Sequence, residues 1–132
     1  MSNRFALIFT ALPEHIDENG HVNNTVWLKW MEDLATAHWV RDADPAHVAA
    51  YAWFVLRHEI DYRGNVGLGE TVEGVTEIKE GPTGARFVRH FTFRNTAGKE
   101  LVRAKTTWGM IDRASGRPIR VPEAVSAPFL AD

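Results

Sequence analysis

Asn24-Thr25-Val26-Trp27-Leu28-Lys29-Trp30-Met31-Glu32-Asp33-Leu34-Ala35-Thr36-Ala37-His38-Trp39-Val40-Arg41 is the stretch on which the architecture turns. Val26 or Trp27, then Trp30, Met31, Leu34, Ala37 and His38 recur at three- and four-residue spacing, while Lys29, Glu32, Asp33 and Thr36 fall off that stripe. This is the period of a helix with one apolar face. Asn23 or Asn24 is a good N-cap type. Asp44-Pro45 stops the helix, because a residue before proline leaves the helical region, and Asp44 then caps a short second helix with Pro45 at its first position.

Outward from the helix the period changes to two. On the N-terminal side, residues 3–12 alternate Phe5, Leu7 and Phe9 and read as a strand, and residues 13–22 form a polar loop. On the C-terminal side, Phe54, Leu56, His58, Ile60 and Tyr62 alternate with Val55, Arg57, Glu59 and Asp61. Residues 71–79, 85–94 and 100–112 follow as strands, Gly116-Arg117-Pro118 closes a last hairpin, and residues 122–132 are a short tail. The expected layout is one strand, one long helix and four long strands of meander type. An antiparallel sheet must cover one face, and the helix, with Trp27, Trp30 and Trp39 on or beside it, supplies the area.

The 132 residues are 45% hydrophobic and 24% charged, within the range of one ordinary globular domain. A net charge of −2 gives no basic field for nucleic acid. With no cysteine, disulfides, thiolate metal sites and a cysteine nucleophile are excluded. No apolar run reaches the ~20 residues of a membrane span, and no secretory signal is read, so a cytoplasmic location is expected. His15, Asp17 and His21 have metal-ligand types without a converging further ligand, so no metal is expected. Phosphate-cradling glycine motifs and a nucleophilic-serine elbow are absent. Arg57, Arg63, Arg86, Arg89 and Arg94 load the sheet with positive charge, expected for most of them on a solvated face. His58 reads as a hydrogen-bonded core or interface histidine.

Asp17 lies three residues before Gly20 and beside the helix start, where free N–H groups and the helix dipole favour anions. A carboxylate there is either a loop charge or a base or nucleophile next to an oxyanion site. Asp17-Glu18-Asn19-Gly20-His21-Val22-Asn23-Asn24-Thr25-Val26-Trp27, with Trp30-Met31-Glu32, resembles the D-x-x-G-H-V-N-N-x-x-Y-x-x-W-x-E signature of the 4-hydroxybenzoyl-CoA-type hot-dog thioesterases. The similarity extends to Ile60-Asp61-Tyr62, to Gly69-Glu70-Thr71-Val72 and to Arg117-Pro118 with Val121-Pro122. His15, Trp27 and Glu70 depart from the usual residues.

The resemblance implies an α+β hot-dog fold over residues 1–132, one long central helix wrapped by a five- to six-stranded antiparallel sheet. It also implies an acyl-CoA thioesterase without a cofactor, working as a homodimer or homotetramer with sites formed between protomers. Asp17 would be nucleophile or general base and the backbone N–H of Asn24 the oxyanion donor. Gly20, His21, Val22, Asn23, Trp27 and His58 would bind substrate. Some of the five sheet arginines would receive the phosphates of coenzyme A, which suit arginine's planar fork. A thioesterase acting on acyl-carrier protein and a non-catalytic acyl-CoA binder are the alternatives.

Overall fold

The computed structural model describes residues 2–131; Met1 and Asp132, the ends of the expected domain, lie outside the described residues. Strand β1 (Arg4–Thr10) leads through a 3-10 turn (Pro13–His15) into helix α1 (Asn24–Asp42) and the short helix α2 (Pro45–Ala50). Strands β2 (Tyr51–Tyr62), β3 (Thr71–Glu77), β4 (Arg86–Asn95), β5 (Glu100–Asp112) and β6 (Arg117–Pro118) follow, and helix α3 (Glu123–Leu130) ends the chain. The antiparallel sheet runs β1-β3-β4-β5-β2, with β6 added to β5. This is the α+β arrangement expected, a sheet curled round one long helix. No helix among the described residues is long and apolar enough to cross a membrane.

Helix α1 begins and ends where its local chemistry dictates. The Asn23 side chain accepts from the N–H of Thr25 at 2.9 Å, so Asn23 is the N-cap. Asp44 accepts from the N–H of Ala46 and caps α2 in the same way. The buried face of α1 is Trp27, Trp30, Met31, Leu34, Ala35 and His38, closing on Asp42. Ala35 takes the place expected for Ala37, which is only half-buried. Completely burying a side chain such as Leu34 or Met31 stabilises the fold by roughly 1.5–3 kcal/mol. Gly74 of β3 lies against the helix: a Cβ there would stand 2.8 Å from Leu34 and 2.7 Å from Phe93. Only a residue without a side chain fits.

Three expectations are corrected. Only β3, β4 and β5 form a meander; β2 pairs with β5 and lies at the far edge, away from β3. Within β2 the register slips between Val55 and Arg57, so Leu56 is an extra residue. One extra residue reverses the alternation. Val55, His58, Ile60 and Tyr62 therefore share the register of inward Trp108, Thr106, Ala104 and Val102, while Phe54 and Leu56 are exposed and Leu56 lies over Gly109. Finally, the expected tail is largely α3, whose Val125 and Phe129 are buried despite Pro128 inside the helix. The burial of those two side chains offsets the hydrogen bond that proline removes.

Candidate active site

The loop before α1 is built from short-range hydrogen bonds between residues close in sequence. The Asp17 carboxylate accepts from the N–H of Asn19 through Oδ1 at 2.9 Å, an Asx turn. The N–H of Gly20 donates to the carbonyl of Asp17, and the N–H of Asp17 donates to the carbonyl of His21, each at 3.0 Å. Gly20 sits at φ +78°, the left-handed region a side chain disfavours. The N–H of Asn23 donates to the carbonyl of His15, while His15 Nδ1 accepts from the N–H of Leu12 at 3.0 Å. His15 thereby acts as a strut holding the loop's entry.

At the helix start each early N–H has a definite fate. Thr25 donates to the Asn23 side chain and Val26 to the Asn23 carbonyl. The N–H of Asn24 has no partner among the described residues. Asp17 Oδ2 likewise has none. Both residues border one open depression of about 320 Å³, together with Asn19, His21, Val22, Asn23 and Asn65. A half-exposed carboxylate and an unspent N–H at the positive end of a 19-residue helix can activate an attacking oxygen and hold a developing oxyanion.

Of the sequence-predicted site residues, Asp17, His21, Val22, Asn23 and Asn24 are brought together here. Gly20 shapes the turn without lining the depression. Trp27 lies in the core, 0% exposed, edge-on to Trp30 and Phe93, its indole N–H without a partner among the described residues. His58 is on the inner face of β2, where Nδ1 meets the Thr106 hydroxyl at 2.8 Å. Burial pushes its pKa below the ordinary value, opposed by the nearby Glu32. From the end of β2 the Tyr62 hydroxyl donates to the Asn24 carbonyl at 3.4 Å, and burial raises its pKa.

Asn65 escaped the sequence reading. Its Nδ2 donates to the Val22 carbonyl at 2.9 Å and its Oδ1 accepts from the N–H of Val66, while the N–H of Val22 donates to the Val66 carbonyl. The loop between β2 and β3 thus clamps the segment carrying Asp17. The cluster Gly64, Gly67 and Gly69 around Asn65 was the available signal: a Cβ on Gly67 would stand 3.5 Å from the Gly20 carbonyl.

Arg89 is the second surprise. Expected on a solvated face or on coenzyme A phosphate, it lies on the inner face of β4 opposite Thr106, 8% exposed, its Nη1 donating to His38 Nδ1 at 2.7 Å and to the Thr76 hydroxyl at 3.2 Å.

Comparison with known proteins agrees with this geometry. A hypothetical protein of Staphylococcus aureus solved in complex with CoA superposes with a TM-score of 0.85 at 18% identity, covering 96% of this chain and 81% of that one. A 1,4-dihydroxy-2-naphthoyl-CoA thioesterase from Synechocystis superposes with a TM-score of 0.80 at 14% identity, covering 96% and 95%. An acyl-ACP thioesterase from Bacteroides thetaiotaomicron gives 0.84 at 20% identity, covering 98% of this chain and 54% of that one. At these identities the likeness establishes the hot-dog fold. No curated protein sequence matches. The family model of the thioesterase-like superfamily, however, matches residues 11–129, from the end of β1 to the end of α3. The chain therefore belongs to the thioesterase-like superfamily, and its fold is that of the hot-dog thioesterases.

Proposed function

We propose that this protein is an acyl-CoA thioesterase, with Asp17 as nucleophile or general base and the N–H of Asn24 as the oxyanion donor. The observation that carries the reading is the unspent Asn24 N–H bordering the same depression as the Asp17 carboxylate. As a base, Asp17 takes a proton from water while the water oxygen attacks the thioester carbon. The C–S bond then breaks, and the departing CoA thiolate takes up that proton. As a nucleophile, Asp17 attacks the thioester carbon and the C–S bond breaks, giving an acyl anhydride and CoA thiolate. Water then cleaves the anhydride to the free acid and the Asp17 carboxylate, and the thiolate takes up the proton released. In both routes the carbonyl oxygen gains charge next to Asn24, so the donor acts most strongly in the transition state. Gly20, His21, Val22 and Asn23 shape the mouth that receives substrate.

The protein acts as a homodimer in this reading. β2 is an edge strand carrying exposed Phe54 and Leu56, and an open edge of this kind is managed by pairing. Antiparallel pairing of β2 with its copy about the strand midpoint brings the Tyr51 end of one protomer beside the Tyr62 end of the other. That is the end where Tyr62 meets Asn24. Light scattering should return two or four times the mass of the chain; a monomer at working concentration refutes the pairing.

Assay of the purified protein against a panel of acyl-CoAs, with a free-thiol reagent reporting CoA, tests the function. Asp17→Asn keeps the shape and removes the base or nucleophile, so kcat should fall about 10²–10⁴-fold with little change in Tm. Near wild-type turnover of Asp17→Asn would sink the assignment. Hydrolysis only of carrier-protein thioesters, or binding of acyl-CoA without turnover, would replace it by one of the two alternatives.

A further inference from the structure

Beneath the C-terminal half of α1 lies a cavity of about 220 Å³, separate from the depression at Asp17. Along the helix, Asn24 and Trp39 are roughly 22 Å apart at ~1.5 Å per residue. The walls are aromatic: Trp39, Trp53, Trp108, Phe87 and Phe129, with Trp39 edge-on to Trp53 and stacked on Phe129. Tyr51 and Ala52, at the start of β2, also line it.

Two arginines line this apolar space, and no Asp or Glu does. Arg113 is tied at the rim, its Nε donating to the Tyr51 carbonyl at 3.1 Å. Arg89 is the buried one. Both of its hydrogen-bonded partners, His38 and Thr76, accept from Nη1. Neither is an anion: burial, and Arg89 itself, hold the His38 pKa down at about 4. Asp42 lies on the other side of the His38 ring, 3.3 Å from Nε2, and is engaged by Arg41 at 2.7 Å. Among the described residues Arg89 makes no ion pair, and its Nε and Nη2 donate to nothing. Neither nitrogen is completely sealed from solvent, and Arg89 lines the cavity. A buried guanidinium without a counter-anion is costly unless something else supplies the charge. Its planar fork suits two carboxylate oxygens.

We propose that this cavity binds a small apolar carboxylate, whose oxygens accept from Arg89 Nε and Nη2 while its aromatic or short aliphatic body packs among Trp39, Trp53 and Phe87. At the ~30 Å³ that a water occupies in the liquid, the space takes on the order of ten bonded non-hydrogen atoms, the size of phenylacetate or hexanoate. The carboxylate has two sources: a free acid, or the far end of a dicarboxylic acyl chain whose thioester lies at the neighbouring protomer's Asp17. Only the second source rests on the thioesterase reading.

The test is calorimetric titration of the intact protein at neutral pH with phenylacetate against phenylacetamide, and hexanoate against hexanamide. Each carboxylate should bind at least tenfold more tightly than its uncharged amide. Arg89→Met should bring the pair within about twofold, and Arg89→Lys should keep a preference. A readout needing no variant is the set of indole N–H signals in a ¹⁵N–¹H spectrum. Those of Trp39, Trp53 and Trp108 should move on adding phenylacetate, while those of Trp27 and Trp30 stay. Equal affinity for acid and amide, an unchanged preference in a folded Arg89→Met variant, or shifts confined to Trp27 and Trp30 would overturn the proposal. The sources separate by kcat/KM. A preference for adipyl-CoA over hexanoyl-CoA that Arg89→Met abolishes assigns the site to the acyl chain; equal rates beside tight binding of the free acid assign it to a separate ligand. Absence of any hydrolysis would defeat the thioesterase reading and leave the titration standing.

Discussion

The two ends of α1 hold polar groups on opposite physical terms. At the start, Asp17, Asn23 and Asn24 are partly exposed, and their side-chain hydrogen bonds reach two residues along the chain, Asp17 to Asn19 and Asn23 to Thr25. Valences left open there are hydrated at little cost and stay available to a substrate. Towards the other end, His38 and Arg89 are buried, and their bond joins residues 51 apart in sequence. Polar groups there must be satisfied from distant strands. Reactivity is cheap at the wet end, whereas at the dry end each polar atom bears on stability and on what the adjoining cavity accepts.

After Asp17→Asn, the largest expected effect also breaks the wet end. Asn24→Pro deletes the proposed oxyanion donor, and kcat should fall about 10²–10³-fold, while Asn24→Ala, which keeps the N–H, should stay within roughly tenfold. Proline fits the first helical position, and Asn23 already holds ψ 141°, the extended conformation a residue before proline adopts. Circular dichroism should show both variants folded; an active, folded proline variant would move the donor elsewhere.

The dry end should declare itself through pH. Burial, then the Arg89 charge, lowers the His38 pKa from 6.5 to about 4, against the Ser2 carbonyl and Asp42, which raise it. The unfolded chain therefore takes up a proton near pH 6.5 that the folded chain refuses until about pH 4. Stability is full above pH 6.5 and falls as the pH drops through that window, by at most about 3 kcal/mol. Asp42, held at about 2 chiefly by its hydrogen bond to Arg41, adds a loss at lower pH. Urea denaturation at several pH values should show the His38 slope, and His38→Leu should flatten it. A slope surviving in that variant would assign it to another group.

Between the ends lies the seat of the helix. Gly74→Ala places a methyl against Leu34, Phe93 and Phe9 and should cost about 1–3 kcal/mol, read as a lower Tm with loss at both ends together. Asn23→Ala removes only the cap, about 1 kcal/mol. Activity should then fall little, provided the turn through His15 and Val22 holds the loop; a collapse of kcat would show that the cap also sets the donor.

Much of this was legible in advance. The helix expected at 24–41 ends at Asp42, its cap is one of the two asparagines named, and β5 has the bounds expected. Asp17, His21, Val22, Asn23 and Asn24 gather in one depression because the motif that carries them is contiguous. Asn65 and Arg89 were not legible as site residues. The first works through the Val22 carbonyl, 43 positions away, and the second was one of five sheet arginines that the sequence does not tell apart.

By itself, then, the sequence determined what neighbouring residues decide among themselves: the period of α1, a cap at Asn23 or Asn24, the cap of α2 at Asp44, the turn at Gly20, and the carboxylate set beside a helix start. These rest on local dihedrals and hydrogen bonds between residues a few positions apart. Only the tertiary structure decided that β2 crosses to the far edge, that the extra residue at Leu56 turns Phe54 outward and Val55 inward, that α3 packs in spite of Pro128, and that Arg89 lines an aromatic cavity. Strand order and register depend on which distant partners a strand finds, and a one-residue slip changes the face of every side chain beyond it. A charged residue on a strand carries no local mark of which face that will be.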